Sequence, residues 1–232
     1  MKKLRKRLRK YVVRLVQFFV LFSIVIVLPL RWLNPPITMV MGDRWLSNVN
    51  ESFTIRQEWL DWPLIPKQAA LAVVTSEDQR FPTHIGFDFN AIYNVINSMG
   101  RGTQLRGAST ISQQVARNVY LWTGRSWLRK GLEVWFTVLI ELFWGKQRIL
   151  EVYLNIAEWG DGVFGLEAAS YHYFNKPARQ LSPMQMALLA STLPSPIKYD
   201  PAHPAQHLIE RAQWNLEQQK KLGSVRWLDQ ID

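Results

Sequence analysis

The chain of 232 residues contains no cysteine, which excludes disulfide bridges, thiol catalysis and cysteine-ligated zinc. That fits an oxidising compartment without requiring one. Acidic residues are missing from the first 31 positions, which instead hold Lys2, Lys3, Arg5, Lys6, Arg7, Arg9, Lys10, Arg14 and Arg31. The net charge of +10 is therefore concentrated at the N-terminus, the rest of the chain is close to neutral, and no nucleic-acid partner is implied. No alanine occurs before Ala69, so the alanine-rich processing site of a cleaved signal peptide is missing. Internal repeats and low-complexity linkers are absent too, and few segments alternate as strands do.

Beyond the basic block lies a run from Leu15 to Leu30, uncharged between Arg14 and Arg31. Sixteen residues fall short of the ~20 that span a bilayer, but Tyr11, Val12, Val13, Trp32 and Leu33 extend the run and both arginines can snorkel. The reading is an uncleaved transmembrane anchor over residues 15–33. Residues 1–14 then form a cytoplasmic basic segment, and everything after the anchor lies outside. Pro35 and Pro36 end the anchor. Residues 37–66 read as irregular, with Trp45, Trp59 and Trp62 suited to a headgroup zone, and residues 34–63 are assigned as a juxtamembrane segment.

From Lys67 onward the pattern is helical, with helices expected over 67–77, 89–99, 110–120, 125–143, 146–157, 165–174 and 183–193. Ser182, Pro183 and Gln185 form a clear helix start. The apolar stretch 134–144 contains Glu141 and is closely flanked by Lys130 and Lys146, which favours a core helix over a second span. An all-α fold results: one mainly helical domain over 64–201, with 202–232 as a helical extension whose Trp214 suggests packing.

Three motifs mislead. "GDGVFG", Gly160 to Gly165, matches a dinucleotide fingerprint, but a helix is expected before it, so a glycine-rich helix–helix turn is the better reading. His203 and His207 have i, i+4 spacing without a metalloprotease glutamate and with Pro204 between them. "SPIK", Ser195 to Lys198, lacks the partner motifs of acylating serine enzymes.

Four polar clusters carry chemistry. "EDQRFPTHIG" places Glu77, Asp78, Phe81, His84 and Gly86 at the end of an apolar helix; catalytic acid or base, metal site and polar helix end all remain open readings. "RGASTISQQVARN" offers Gly107 and Ala108 for close backbone approach, Ser109 and Thr110 as caps, then Gln113, Gln114 and Arg117. A helix N-terminus of this kind favours an anion. "RSWLRKGLE" holds three cations, Arg125, Arg129 and Lys130, then Glu133, with Lys130 at i, i+3 and Arg129 at i, i+4 spacing from it. In "KQRILEVYLNIAEWG", Glu151, Asn155 and Glu158 are expected to share one helical face. Singly each cluster could be a cap, a surface ion pair or a solvated end. Together they describe two glutamates among cations and amides, as glycosyl chemistry with a phosphate leaving group would require.

In this order the four blocks resemble the glycosyltransferase domain of the peptidoglycan glycosyltransferases, family 51. The matching stretches are "EDQRFPTHIG", "GASTISQQ", "RKGLE" and "KQRILEVYLN", within residues 64–201. With an anchor and no transpeptidase domain, the chain resembles the monofunctional members. The resemblance implies a lysozyme-like, two-lobed helical fold with a membrane-facing jaw, to which Phe87, Phe89, Ile92, Val95 and Ile96 could belong. It implies lipid II and the growing glycan strand as substrates, at the bacterial inner membrane, with the catalytic domain on the periplasmic side and cell-wall synthesis or division proteins as candidate partners.

Residue by residue, the resemblance implies Glu77 as catalytic base and Glu133 as the second essential glutamate. Ser109, Gln113, Gln114, Arg117, Arg125, Arg129 and Lys130 correspond to residues around the donor sugar and pyrophosphate. Arg117 stands where many members carry lysine. Asp78, Phe81, His84, Gly86, Glu151 and Asn155 fall at motif positions of structural type. A divalent metal, magnesium or manganese, at the pyrophosphate is a further implication; no other cofactor is. The competing activity is a membrane-anchored, lysozyme-like muramidase, which would not explain the cations.

Overall fold

The computed structural model describes residues 2–49, 53–98, 109–124 and 126–231. Its helices are α1 (Lys2–Val27), α2 (Met39–Ser47), α3 (Lys67–Glu77), α4 (Phe89–Ser98), α5 (Ile111–Tyr120), α6 (Trp127–Phe143), α7 (Lys146–Ile156), α8 (Leu166–Phe174), α9 (Pro183–Thr192) and α10 (Gln206–Lys221). Three short strands, β1 (Arg56–Gln57), β2 (Glu158–Gly160) and β3 (Val163–Phe164), make a small sheet in the order β1-β3-β2.

The centre is α3. Its residues Ala69 to Thr75 are all buried, as expected for a helix that is apolar all round. α9 and α10 pack against it, and α5 packs against both α6 and α7. α10 runs antiparallel to α3: Gln68 meets Gln219, while Asn215 donates to the Ala72 carbonyl at 2.8 Å and to Ser76 Oγ at 2.7 Å. Beyond it a 3-10 segment, Ser224–Gln230, buries Trp227 and Leu228. Residues 202–231 therefore pack onto the same body as the rest.

Among the described residues α1 is the helix long and apolar enough to cross a membrane. Its α-helical part stops at Val27, before the Pro35–Pro36 pair, because Pro29 lacks the N–H that would continue the ladder. A 3-10 turn over Leu28–Arg31 follows. α1 is fastened to the domain. Phe19 packs on Trp135 with ring centroids 5.7 Å apart, and Trp144 Nε1 donates to the Val27 carbonyl at 3.0 Å. Arg148 donates to the carbonyls of Leu30 and Leu33 at 3.1 and 2.8 Å. α6 is indeed a packed helix, with Phe136, Thr137, Leu139 and Ile140 inward and Val134, Val138 and Leu142 exposed.

Several expectations need correction. Residues 37–66 are not irregular throughout, since Thr38 caps α2 by accepting from Met41 N–H at 3.2 Å, and Val40 and Met41 are buried. Trp59 and Trp62 pack against the core rather than projecting from it. The 160–165 glycine segment is a β-hairpin turn: Gly162 and Gly165 take positive φ, and Arg56 N–H reaches the Gly162 carbonyl at 2.8 Å. α7 ends at Ile156, so Glu158 lies in a strand and leaves the face of Glu151 and Asn155. It pairs with Arg44 at 3.0 Å instead.

Glu151 and Asn155 clamp the segment before α3. Asn155 accepts from Leu60 N–H at 2.7 Å and donates to the Leu60 carbonyl at 2.8 Å, while Glu151 accepts from Trp62 N–H at 3.2 Å and pairs with Arg148 at 3.1 Å. Replacing Asn155 by alanine leaves both Leu60 groups without those partners, which costs about 3 kcal/mol. Thermal melting of the full chain in detergent should show a clear fall for Asn155→Ala, and an unchanged Tm would refute the clamp.

Candidate active site

Glu77 closes α3 and Asp78 is its C-cap. The two carboxylates point into different surroundings. Asp78 is buried and serves the frame: its Oδ2 accepts from Ile111 N–H at 3.0 Å, and both its oxygens lie within 3.0 Å of His84 Nε2. Gly86 N–H donates to His84 Nδ1 at 3.0 Å, so the ring proton sits on Nε2 and is given to Asp78. Thr110 Oγ1 then donates to the Gly86 carbonyl at 2.6 Å. The 79–88 loop is thus tied to the end of α3 and the start of α5. Phe81, fully buried, lies under Lys146, whose Nζ is 4.6 Å from the ring centroid and 2.6 Å from Glu141.

Glu77 keeps part of its surface open. Its Oε2 accepts from Gln114 Nε2 at 2.7 Å, and Gln114 Oε1 accepts from Tyr153 O–H at 3.2 Å. The two partners fix the amide orientation and aim the carboxylate. Oε1 receives no hydrogen bond from the described residues. Burial pushes the Glu77 carboxyl above the usual range; the Gln114 hydrogen bond and then Arg211 oppose this, Asp78 adds to it, and Arg117 opposes it more weakly. Burial, and next the Glu77 charge, hold Tyr153 well above an ordinary phenol, so it remains a donor.

Glu133 forms a second centre on α6. It is 3% exposed and bonded by Arg129 at 2.8 Å and by Lys130. A buried carboxylate is tolerable when so paired. The trio carries a net positive charge, and the buried Arg129 Nε finds no hydrogen-bond partner among the described residues. Spare donors on a net cation suit a phosphate oxygen. Both Glu133 oxygens are already engaged, and no group of three acidic or imidazole side chains gathers as a metal site among the described residues. Hard divalent cations want several oxygen ligands, so these residues by themselves do not form a metal site.

A cavity of about 280 Å³ opens beside Glu77's partners, lined by Gln114, Arg117, Asn118 and Tyr153, with Glu158 and Pro194 further round. Burial raises the Glu158 carboxyl, with Arg44 opposing. Glu77 and Glu133 themselves do not line this cavity.

A family model described as Transglycosylase matches residues 45–220. The chain belongs to the transglycosylase family. Curated relatives named biosynthetic peptidoglycan transglycosylase are similar over nearly their whole length. One from Chromohalobacter salexigens is 49% identical, covering 92% of each chain. One from Pseudomonas aeruginosa is 46% identical over 100% of this chain and 99% of its own, and one from Xanthomonas axonopodis pv. citri is 50% identical over 90% and 87%.

The structure gathers the family-type residues into two groups, Glu77 with Gln114 and Arg117, and Glu133 with Arg129 and Lys130. Ser109 is exposed just before the Thr110 cap. Gln113 is 5% exposed and its Oε1 accepts from Thr110 N–H, completing a capping box, so here it serves the helix start. Arg125, Gly107, Ala108 and the Ile96 side chain lie outside the described residues. Tyr153 and Arg211 were not singled out from sequence. Tyr153 sits unremarked inside "ILEVYLN", and Arg211's signal was its i, i+4 spacing from Asn215 on a helix with buried amides.

Gly86 is the local keystone, with φ +89° and a Cβ position only 2.7 Å from Thr137 Cγ2. Gly86→Ala should destabilise by about 2 kcal/mol or more through strain and clash. Denaturant melts in detergent will measure it, and equal midpoints would overturn this account of the loop.

Proposed function

We propose that the protein polymerises lipid II into peptidoglycan glycan strands, with Glu77 as general base. The observation that carries this reading is the Tyr153–Gln114–Glu77 chain, which orients one carboxylate oxygen, leaves the other without a hydrogen bond from the described residues, and sets Gln114 and Tyr153 on the wall of a polar cavity. Family membership and the names of the relatives supply the substrate class. The acceptor's GlcNAc 4-hydroxyl attacks C1 of the donor's MurNAc and gives its proton to Glu77. The C1–O bond to undecaprenyl pyrophosphate breaks, and the α linkage becomes a β-1,4 linkage. This is the inverting arrangement with a sugar hydroxyl in place of water.

The Arg129–Lys130–Glu133 trio is the proposed counter-charge for the leaving pyrophosphate, with Arg129 Nε, which has no partner among the described residues, as one donor. Ser109, Gln114, Arg117 and Arg125 complete the proposed donor surroundings. α1 is the proposed anchor in the bacterial inner membrane, with residues 1–14 cytoplasmic and the helical body, including 64–201 and 202–232, on the periplasmic side. Exposed Ile85, Phe89 and Tyr93 give the proposed jaw an apolar face toward lipid. Tethering to the bilayer that holds the substrate's lipid tail raises effective concentration.

Glu77→Gln should lower polymerisation of lipid II by about 100-fold or more while the protein stays folded. Activity within about tenfold of the parent would refute the base assignment. Shortening of finished glycan strands, without polymer from lipid II, would favour the muramidase alternative. Because the base must be unprotonated and burial raises the Glu77 pKa, the rate should fall with decreasing pH through a value above the ordinary glutamate range. A flat rate down to that range would contradict the assigned environment.

A further inference from the structure

α2 forms one wall of the cavity that Gln114 and Tyr153 share. Val40 lines it directly, and the consecutive residues Asp43 and Arg44 each hold a lining residue from elsewhere in the chain. Asp43 Oδ2 accepts from Thr123 N–H at 2.9 Å and from the Thr123 hydroxyl. Arg44 Nε donates to Glu158 Oε1 at 3.0 Å, while its Nη2 pairs with Asp161, outside the cavity. Among the described residues Glu158 is the one acid that lines this space, as Arg117 is the one cation.

The two oxygens of Glu158 are used differently. Oε1 accepts from Arg44 and, at 3.3 Å, from Gly162 N–H, which fixes the carboxylate to α2 and to the hairpin. Oε2 receives no hydrogen bond from the described residues, although the side chain is only 15% exposed. A carboxylate oxygen so far from bulk water needs a donor, and the cavity is where one can enter. The walls indicate its chemistry. Leu193, Pro194 and Pro196 supply apolar surface opposite the polar groups, as suits a sugar ring with its C–H face and its hydroxyls. A carboxylate repels phosphate, so the Glu158 end of the cavity takes a neutral donor.

We propose that Glu158 is a substrate-binding residue for lipid II, its Oε2 accepting a hydrogen bond from a sugar hydroxyl, and that Arg44 is the positioning residue that holds its carboxylate. This rests on the proposed polymerisation of lipid II. Burial raises the Glu158 carboxyl above its usual range and Arg44 opposes that, so Arg44 favours the accepting form as well as aiming it.

The test is steady-state polymerisation of lipid II by the full chain in detergent, for the parent, Glu158→Gln, Arg44→Met, Arg44→Lys and Asp161→Asn. Glutamine keeps an Oε1 that can accept from Arg44 and Gly162 and puts an N–H donor in place of Oε2. Glu158→Gln should raise KM by about tenfold with kcat near the parental value. Arg44→Met should act in the same direction, Arg44→Lys should restore most of the loss, and Glu158→Gln with Arg44→Met should be no worse than Glu158→Gln alone. Asp161→Asn should leave both constants near parental. If Glu158→Gln fails to fold, Arg44→Met against Arg44→Lys reads the same carboxylate through its placement. Binding of dansyl-labelled lipid II to the Glu77→Gln chain, with and without Glu158→Gln, checks the contact without turnover and should weaken by about tenfold. An unmoved KM and affinity, a fall in kcat with KM unmoved, or an equal loss for Asp161→Asn overturns the inference. Absence of polymer from the parent removes the proposed function, whereas polymer from the parent beside unmoved Glu158→Gln constants removes Glu158 alone.

Discussion

Everything at the candidate site hangs on the Asp78 carboxylate. It accepts from a backbone N–H at the start of α5 and from His84 in the preceding loop. A buried carboxylate without such donors would be untenable. With them it becomes a rivet joining the end of α3 to the start of α5. Because Glu77 and Gln114 sit one and three residues from the riveted positions, their mutual placement follows from it. The neighbouring acids therefore divide their work. One is spent on geometry, which leaves the other free for chemistry.

The two glutamates sit in opposite electrostatic settings. Glu77 is held by the neutral Gln114 amide, which the Tyr153 phenol holds in turn, and no cation of the described residues pairs with it directly. A base needs such a setting, ionised but not clamped. Glu133 is gripped directly by two cations. A carboxylate so bound holds its two cations and presents them as a unit. The arrangement matches the proposed division between proton removal and leaving-group stabilisation, and it comes from local helix spacing at i, i+3 and i, i+4.

Much of this was legible from sequence because it is local. The helix over 67–77 follows from an unbroken apolar run, and α9 from Ser182, Pro183 and Gln185, whose capping box is present in the structure. The Glu133 ion pairs follow from spacing. What escaped depends on distant partners or short elements. Strands of two and three residues are too brief to show alternation, so the 158–164 hairpin read as a turn. α2 is only nine residues long and holds Gly42, and it packs against α5. Arg211 acquires its position only once α10 lies against α3, a pairing across 143 residues for Asn215 and Ala72.

The joint between α1 and the rest of the domain has a practical side. Trp144 and Arg148 satisfy their donors on carbonyls of Val27, Leu30 and Leu33, where the chain leaves α1. A fragment trimmed to begin after residue 33 would expose an indole, a guanidinium and the apolar face that Phe19 and Val27 now cover. Solubility gained by cutting would thus be partly returned as adhesiveness. A detergent belt around the intact chain is the gentler route to a well-behaved preparation, because the first helix acts as one wall of the folded body as well as a mooring.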